Sequence, residues 1–189
     1  MKIIVTIIVL SLLLIGNLGL LYSTYQENEA YKDLLILSSE SYSSNEDLGN
    51  KYYELATLSY ERSEFSETEK NCKLAREYFS DAVQELKATQ SKIKREEKVF
   101  QIYKDLLGEN IKIDENMYEA CEWFETASRH YAHYVKDTTP YGDSSLEKGN
   151  EAIEEMNKKI NAHDDAVRRY NSLLEDYNLE LREFLGVED

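Results

Sequence analysis

The chain has 189 residues, 37 of them acidic and 22 basic, for a formal net charge of −15. Phosphate backbones and anionic membrane surfaces recruit proteins through local positive charge, so this balance excludes nucleic acid as a partner. One proline, seven glycines and no alternating β-branched runs exclude a sheet protein and predict an all-α chain.

Taken from the N-terminus, Ile3 to Tyr22 is an apolar run interrupted only by Thr6, Ser11, Gly16, Asn17 and Gly19. About 20 helical residues span about 30 Å, the thickness of a bilayer's hydrocarbon core. The run is longer than the roughly 7 to 15 residues of a signal-peptide core, and no small-x-small pair lies near Tyr22. Residues 1–24 are therefore expected to be an uncleaved transmembrane anchor carrying Ile3, Ile8, Leu13, Leu20 and Tyr22. The alternative is a cleaved signal and a secreted product. Lys2 precedes the run and no cation follows it closely, which predicts a cytoplasmic N-terminus and an extracytoplasmic C-terminal domain. Tyr22 and Tyr25 suit the outer interface. Residues 25–45 read as a membrane-proximal helix, through Tyr31, Leu34, Leu35 and Leu37, and then a polar linker, Ser41 to Asn45.

Residues 46–189 carry two heptad runs. The first is Phe65, Cys72, Phe79, Leu86, Ile93, Phe100 and Leu107, with small residues Thr68, Ala75, Ala82 and Thr89 at the companion position. The second is Leu146, Ile153, Ile160, Val167, Leu174 and Leu181, interleaved with Met156, His163, Tyr170, Tyr177 and Phe184. A sustained seven-residue repeat marks a helix with one seam facing other helices. The expected fold is an N-terminal transmembrane helix followed by an elongated antiparallel helical bundle with coiled-coil-like heptad packing. Its helices are expected at about 46–62, 64–107, 114–137 and 145–185. Gly108 would close the long middle rod, and Asp114 would cap the next helix inside an Ile113/Tyr118 staple. Ser144 with Glu147 would form a capping box before a helix ending at Gly186. Thr138 to Asp143, around Pro140, is the strongest loop signal. Glu96 breaks the first seam, as a carboxylate that sets register or lies at an edge.

On this map the last helix overhangs the middle rod by roughly 15 to 20 residues. Its distal seam, Tyr170, Leu174, Tyr177, Leu181 and Phe184, then needs a partner, because burying each such side chain is worth about 1.5 to 3 kcal/mol. These five residues are the candidate interface, for a second copy or another protein. Of the fifteen tyrosines, Tyr52, Tyr53, Tyr60, Tyr131, Tyr134, Tyr170 and Tyr177 fall on or beside the predicted seams, where an amphipathic ring packs while its hydroxyl reaches the edge.

Catalytic chemistry has little to rest on. His130 and His133 share a helical face near Glu125 and Asp137, but the Glu-x-x-His spacing of di-iron bundles is absent, with Ala127 and Ile160 at the positions it needs. No phosphate loop, nucleophile elbow, Cys-x-x-Cys pair or calcium loop occurs. No cofactor, metal or catalytic residue is assigned. Cys72 and Cys121 are expected about 40 Å apart on the predicted rods, too far for a disulfide. His163 is read as a seam histidine able to confer pH sensitivity.

Leu55-Ala56, Phe65, Cys72 and Ala75 resemble the spacing of one tetratricopeptide hairpin, without a second copy about 34 residues on. A short anchor, an acidic helical ectodomain and Ala166-Val167-Arg168-Arg169-Tyr170-Asn171 resemble the LemA family of membrane-anchored helical bundles, a likeness of layout that carries no function over. The expected role is that of a structural, scaffold or adaptor subunit working through helix contacts. The alternatives are a ligand-sensing bundle with a cavity near His130, Tyr131 and His163, and a pilin-like filament subunit.

Overall fold

The computed structural model describes residue 29 and residues 32–33, 44–136 and 141–186. Four long helices account for nearly all of them: α1 (Ser44–Glu61), α2 (Phe65–Lys92), α3 (Lys98–Lys136) and α4 (Tyr141–Leu185), with no strand among the described residues. The chain divides into two units, residues 1–40 and 41–189. In the first, only Glu29, Lys32 and Asp33 are described, all helical, with Lys32 Nζ 3.3 Å from Glu29. The expected anchor, and most of the expected membrane-proximal segment, lie outside the described residues. Among those described, no helix is long and apolar enough to cross a membrane.

Successive helices of the second unit run antiparallel, as their contacts show. Along α1 and α2, Asn45 donates to Glu85, Tyr52 stacks on Tyr78 and Asn71 donates to Ser59, so numbers rise on one helix as they fall on the other. The same reversal relates α2 to α3 through Lys87–Glu115 and Arg76–Tyr118. It relates α3 to α4 through Lys98–Glu180, Arg169–Glu109 and Tyr131–Asn150. α4 has 45 residues, about 67 Å at 1.5 Å per residue, and accompanies α3 along nearly its whole length.

α2 is the helix whose predicted pattern survives most fully. Its buried residues are Thr68, Cys72, Ala75, Phe79, Ala82, Leu86 and Thr89, a strict alternation of four and three that keeps one stripe against its neighbours. The small members let helices approach closely, and Phe79 fills the space between them. On α1, Gly49 faces that ring: a Cβ there would sit 2.8 Å from Phe79. One contiguous core joins Ala56, Cys72, Ala75, Phe79, Met117, Ala120, Cys121, Phe124 and Met156. Tyr60 extends it toward the α1–α2 turn, its ring 5.8 Å from Phe65 and 5.2 Å from Phe124.

The boundaries differ from those predicted at several places. The rod expected over 64–107 is two helices, because the chain turns at Ile93–Glu97, within the basic run and without glycine or proline. Local bonds make the turn. The Gln101 amide donates to the Arg95 carbonyl at 2.8 Å, Arg95 pairs with Glu97 at 3.1 Å, and the Arg95 guanidinium lies 5.5 Å from the Phe100 ring centroid. Glu96 is exposed in this turn, while Ile93 and Phe100 on either side of it are buried, so the heptad phase carries across a reversal of direction.

Gly108 lies inside α3 rather than ending a helix. A Cβ there would be 3.3 Å from Gln90 Nε2, the amide that donates to the Lys104 carbonyl at 2.9 Å, so the glycine clears a path to a helix carbonyl. Asp114, Ile113 and Tyr118 are likewise mid-helix, without cap or staple. α4 begins at Tyr141, three residues before the expected Ser144 cap, so the end of the expected loop is helical; residues 138–140 lie outside the described ones. The linker expected to reach Asn45 has become helix by Ser44. Gly186 does follow the end of α4, with φ +65°.

α1 ends in a Schellman arrangement: Ser63 N–H donates to the Tyr60 carbonyl at 2.8 Å and Glu64 N–H to the Ser59 carbonyl at 2.9 Å. This places Ser63 at φ 59°, a region glycine enters freely and other residues do not. Ser63→Gly should therefore stabilise the protein by about 1 kcal/mol in urea melts. Gly49→Ala should lower stability by about 1 to 3 kcal/mol, since the Phe79 ring it would strike is fully buried. Gly149→Ala, which meets the half-buried Tyr131 ring at 2.9 Å, should cost less in the same assay.

Candidate functional site

The candidate interface residues, Tyr170, Leu174, Tyr177, Leu181 and Phe184, are all half-buried. The overhang expected for them does not form. Because the turn falls at 93–97, α3 is long enough to run beside them: Lys98 Nζ reaches Glu180 at 2.5 Å and the Tyr103 and Tyr177 rings lie 5.5 Å apart. α2 stops near Lys104, where Gln90 makes its bond, and beyond that level the described helices are two, α3 and α4. The second heptad run is half-buried throughout apart from Met156, and the other buried residues of α4 are small: Gly142, Gly149, Ala152 and Ala166. These make the close contact, and the large residues flank it. On the outer side Leu179 and Leu185 are 62% and 42% exposed.

Two buried glutamates are served by several cations. Glu125 on α3 receives Arg76 Nη1 of α2 at 3.1 Å and Arg129 at 2.7 Å, with Lys73 at 3.9 Å. Arg76 also donates to the Tyr118 hydroxyl at 2.8 Å and lies 4.7 Å from its ring centroid, on the wall of an open groove of about 590 Å³. Glu109 is bonded by Lys112 at 2.6 Å and by Arg169 of α4 at 2.9 Å. Burial alone would raise its pKa, but these bonds hold it below the usual glutamate value.

Asp114 is different. It is 0% exposed on α3, and neither carboxyl oxygen has a hydrogen-bond partner among the described residues. Burial pushes its carboxyl up to about 8, and the charge of Glu46 on α1 adds to the shift. Glu46 is raised in turn, chiefly by burial and then by Asp47, while His163 on α4 opposes the shift. His163 Nδ1 lies 3.0 Å from Asp164. Little in the sequence sets Asp114 apart from the other acidic residues. Its place in the Ile111, Ile113 and Met117 stripe is the one signal, and a capping role at a helix start accounts for it equally well.

The remaining candidates are dispersed. His130 is half-buried beside a cleft of about 400 Å³ between α3 and α4, lined by Trp123, Thr126, Lys148 and Glu151 among others, while His133 is exposed. The His130 pKa is lowered, first by burial and then by Lys148, His133 and Arg129. Glu125, expected to accompany these histidines, is bonded to Arg76 and Arg129 instead. Tyr131 donates to Asn150, and His163 stands about 20 Å further along α4 at helical rise, so the three residues expected to share a cavity do not converge. Among the described residues no three His, Cys, Asp or Glu side chains are grouped to hold a metal ion.

Cys72 and Cys121 are free thiols in the same core cluster, not on distant parts of separate rods, because α3 runs back along α2. Burial raises both, Cys121 to about 12, so neither is a ready thiolate.

No family model, curated protein or solved structure matches the chain. Residues of the stretch that resembles LemA have local roles within the bundle: Ala166 is buried, Arg168 pairs with Asp165, and Arg169 pairs with Glu109.

Asp114 sets a direction for pH dependence. Its folded pKa lies above the unfolded value of about 3.9, so the folded state holds a proton that the unfolded chain releases between about pH 4 and 8. The contribution of this group to stability is intact below pH 4 and falls as pH rises through that window. Relative to the wild type, Asp114→Asn should gain stability progressively from pH 4 to pH 8, by at most about 5 kcal/mol, in urea melts at the two pH values.

Proposed function

We propose that the chain is a single-pass membrane protein whose extracytoplasmic helical bundle serves as a structural, scaffold or adaptor subunit through helix-to-helix contact. The contact face is the distal half of α4 with the start of α3, and its occupant is a second copy or another helical protein. The observation that carries this reading is the section in which α3 and α4 run on past the end of α2. The large residues Tyr177, Leu181 and Phe184 are only half covered there, and Leu179 and Leu185 are open to solvent. An apolar strip left incomplete at one end of a bundle favours association. The apolar run Ile3–Tyr22 and the flanking Lys2 support the anchor and its orientation.

Light scattering and crosslinking of the full chain in detergent test it. The expected result is an oligomer or a crosslinked helical partner that is lost in the double variant Leu179→Glu, Leu185→Glu, with the melting temperature of the bundle nearly unchanged because both positions are exposed. A monomer without a crosslinked partner, or association indifferent to these changes, would overturn it.

A further inference from the structure

Asp114 is a fully buried carboxyl that no described side chain bonds, in a bundle whose buried glutamates Glu109 and Glu125 are each held by two or more cations. Burying such a group is costly unless it is neutral or bonded. Asn45 of α1 bonds Glu85 of α2 and, two residues on, Lys87 pairs with Glu115 of α3, so the first turn of α1 stands level with Asp114 along α2. The acid in that turn that bears on it is Glu46, which is half-buried. This turn begins at Ser44 and is the first described element of the second unit.

We propose that Asp114 on α3 and Glu46 on α1 form a proton-operated latch: with at most one negative charge between them the first turn of α1 is seated, and with two it is released. Two carboxylates sharing a poorly solvated site cannot both ionise cheaply, and they titrate as a pair. The charged groups around the pair are engaged elsewhere or add to its negative charge. From α4, Arg169 is committed to Glu109, and His163 stands beside Asp164 while its charge bears on Glu46. The Tyr170 hydroxyl also feels Glu46. From α2, Lys87 is committed to Glu115 and Glu85 accepts the Asn45 amide. On α1 itself Asp47 adds a further negative charge, and on α3 Lys112 is committed to Glu109.

Release is cheaper than unfolding. Lifting one turn of α1 lets water reach Asp114 while the α2–α3 core, from Cys72 and Phe79 to Cys121 and Phe124, stays closed. A seated turn also keeps the Asn45–Glu85 bond at 2.9 Å, so the latch couples proton uptake to the docking of α1 on α2.

Hydrogen exchange of the full chain in detergent, read by mass spectrometry at pH 6 and pH 9 and corrected for the intrinsic rate, tests the latch. Amides over residues 46–53 should lose at least about tenfold of their protection on going to pH 9, relative to those over 72–82 in α2. Asp114→Asn should abolish that loss and Glu46→Gln should reduce it, whereas exposed Glu54→Gln should leave it as in the wild type. Equal protection at the two pH values overturns the proposal, as does a loss that persists in Asp114→Asn or disappears in Glu54→Gln. If Asp114→Asn does not fold, Glu46→Gln decides: an undiminished loss there overturns the latch.

Discussion

The bundle depends on the width of the α2 stripe. Thr68, Ala75, Ala82 and Thr89 are buried and small, so neighbouring helices come close to the α2 backbone, and the volume between them is filled by Phe79, Leu86 and Cys72 from the companion positions. Gly49 completes the fit by giving the Phe79 ring a backbone surface to lie on. The tyrosines follow from the same constraint. A core this narrow has little depth, and Tyr52, Tyr53 and Tyr60 bury their rings at its margin instead of whole side chains at its centre.

Helix content and the α2 stripe are legible in the sequence because they rest on periodicity, which burial enforces residue by residue. The ends are not. Ile93–Glu97 turns without glycine or proline, through side-chain and backbone bonds that Arg95, Glu97 and Gln101 form only once the chain has reversed. Gly108 has the chemistry of a terminator but is used for clearance beside Gln90. A heptad run that stays in phase across a turn mimics one long helix, and both the overhang of α4 and the separation of the two cysteines follow from that mimicry. The half-buried state of Tyr170 to Phe184 depends on which helices lie alongside, which spacing alone does not specify. Asp114 is hidden for a related reason: an aspartate among isoleucines reads as a cap until the helix is seen to begin well before it, at Lys98.

Charge placement divides the interior into two kinds of site. Glu109 and Glu125 each join helices, because their counter-ions include Arg169 of α4 and Arg76 of α2 respectively, and a one-residue slip of either helix would strand a buried charge. These pairs fix the lengthwise register, which the looser packing of aromatic rings does not. Asp114 has no such counter-ion among the described residues and sets no register; burial favours its protonated form, and the proton takes the place of a cation.

The neighbour-to-neighbour order of the helices has a bearing on how the chain is made. Short links, residues 62–64 between α1 and α2 and 93–97 between α2 and α3, keep the pairings local, a topology that closes quickly. During synthesis the first hairpin can form while α3 is still being added, and α3 then supplies the Met117, Cys121 and Phe124 face that makes the core continuous. α4 buries mostly glycine and alanine and pairs chiefly with α3, so it has almost nothing to collapse upon until α3 is complete. The longest of the four helices is thus the last of them to arrive and the most dependent on its predecessor, a nascent strap whose docking reports that the hairpins before it have folded.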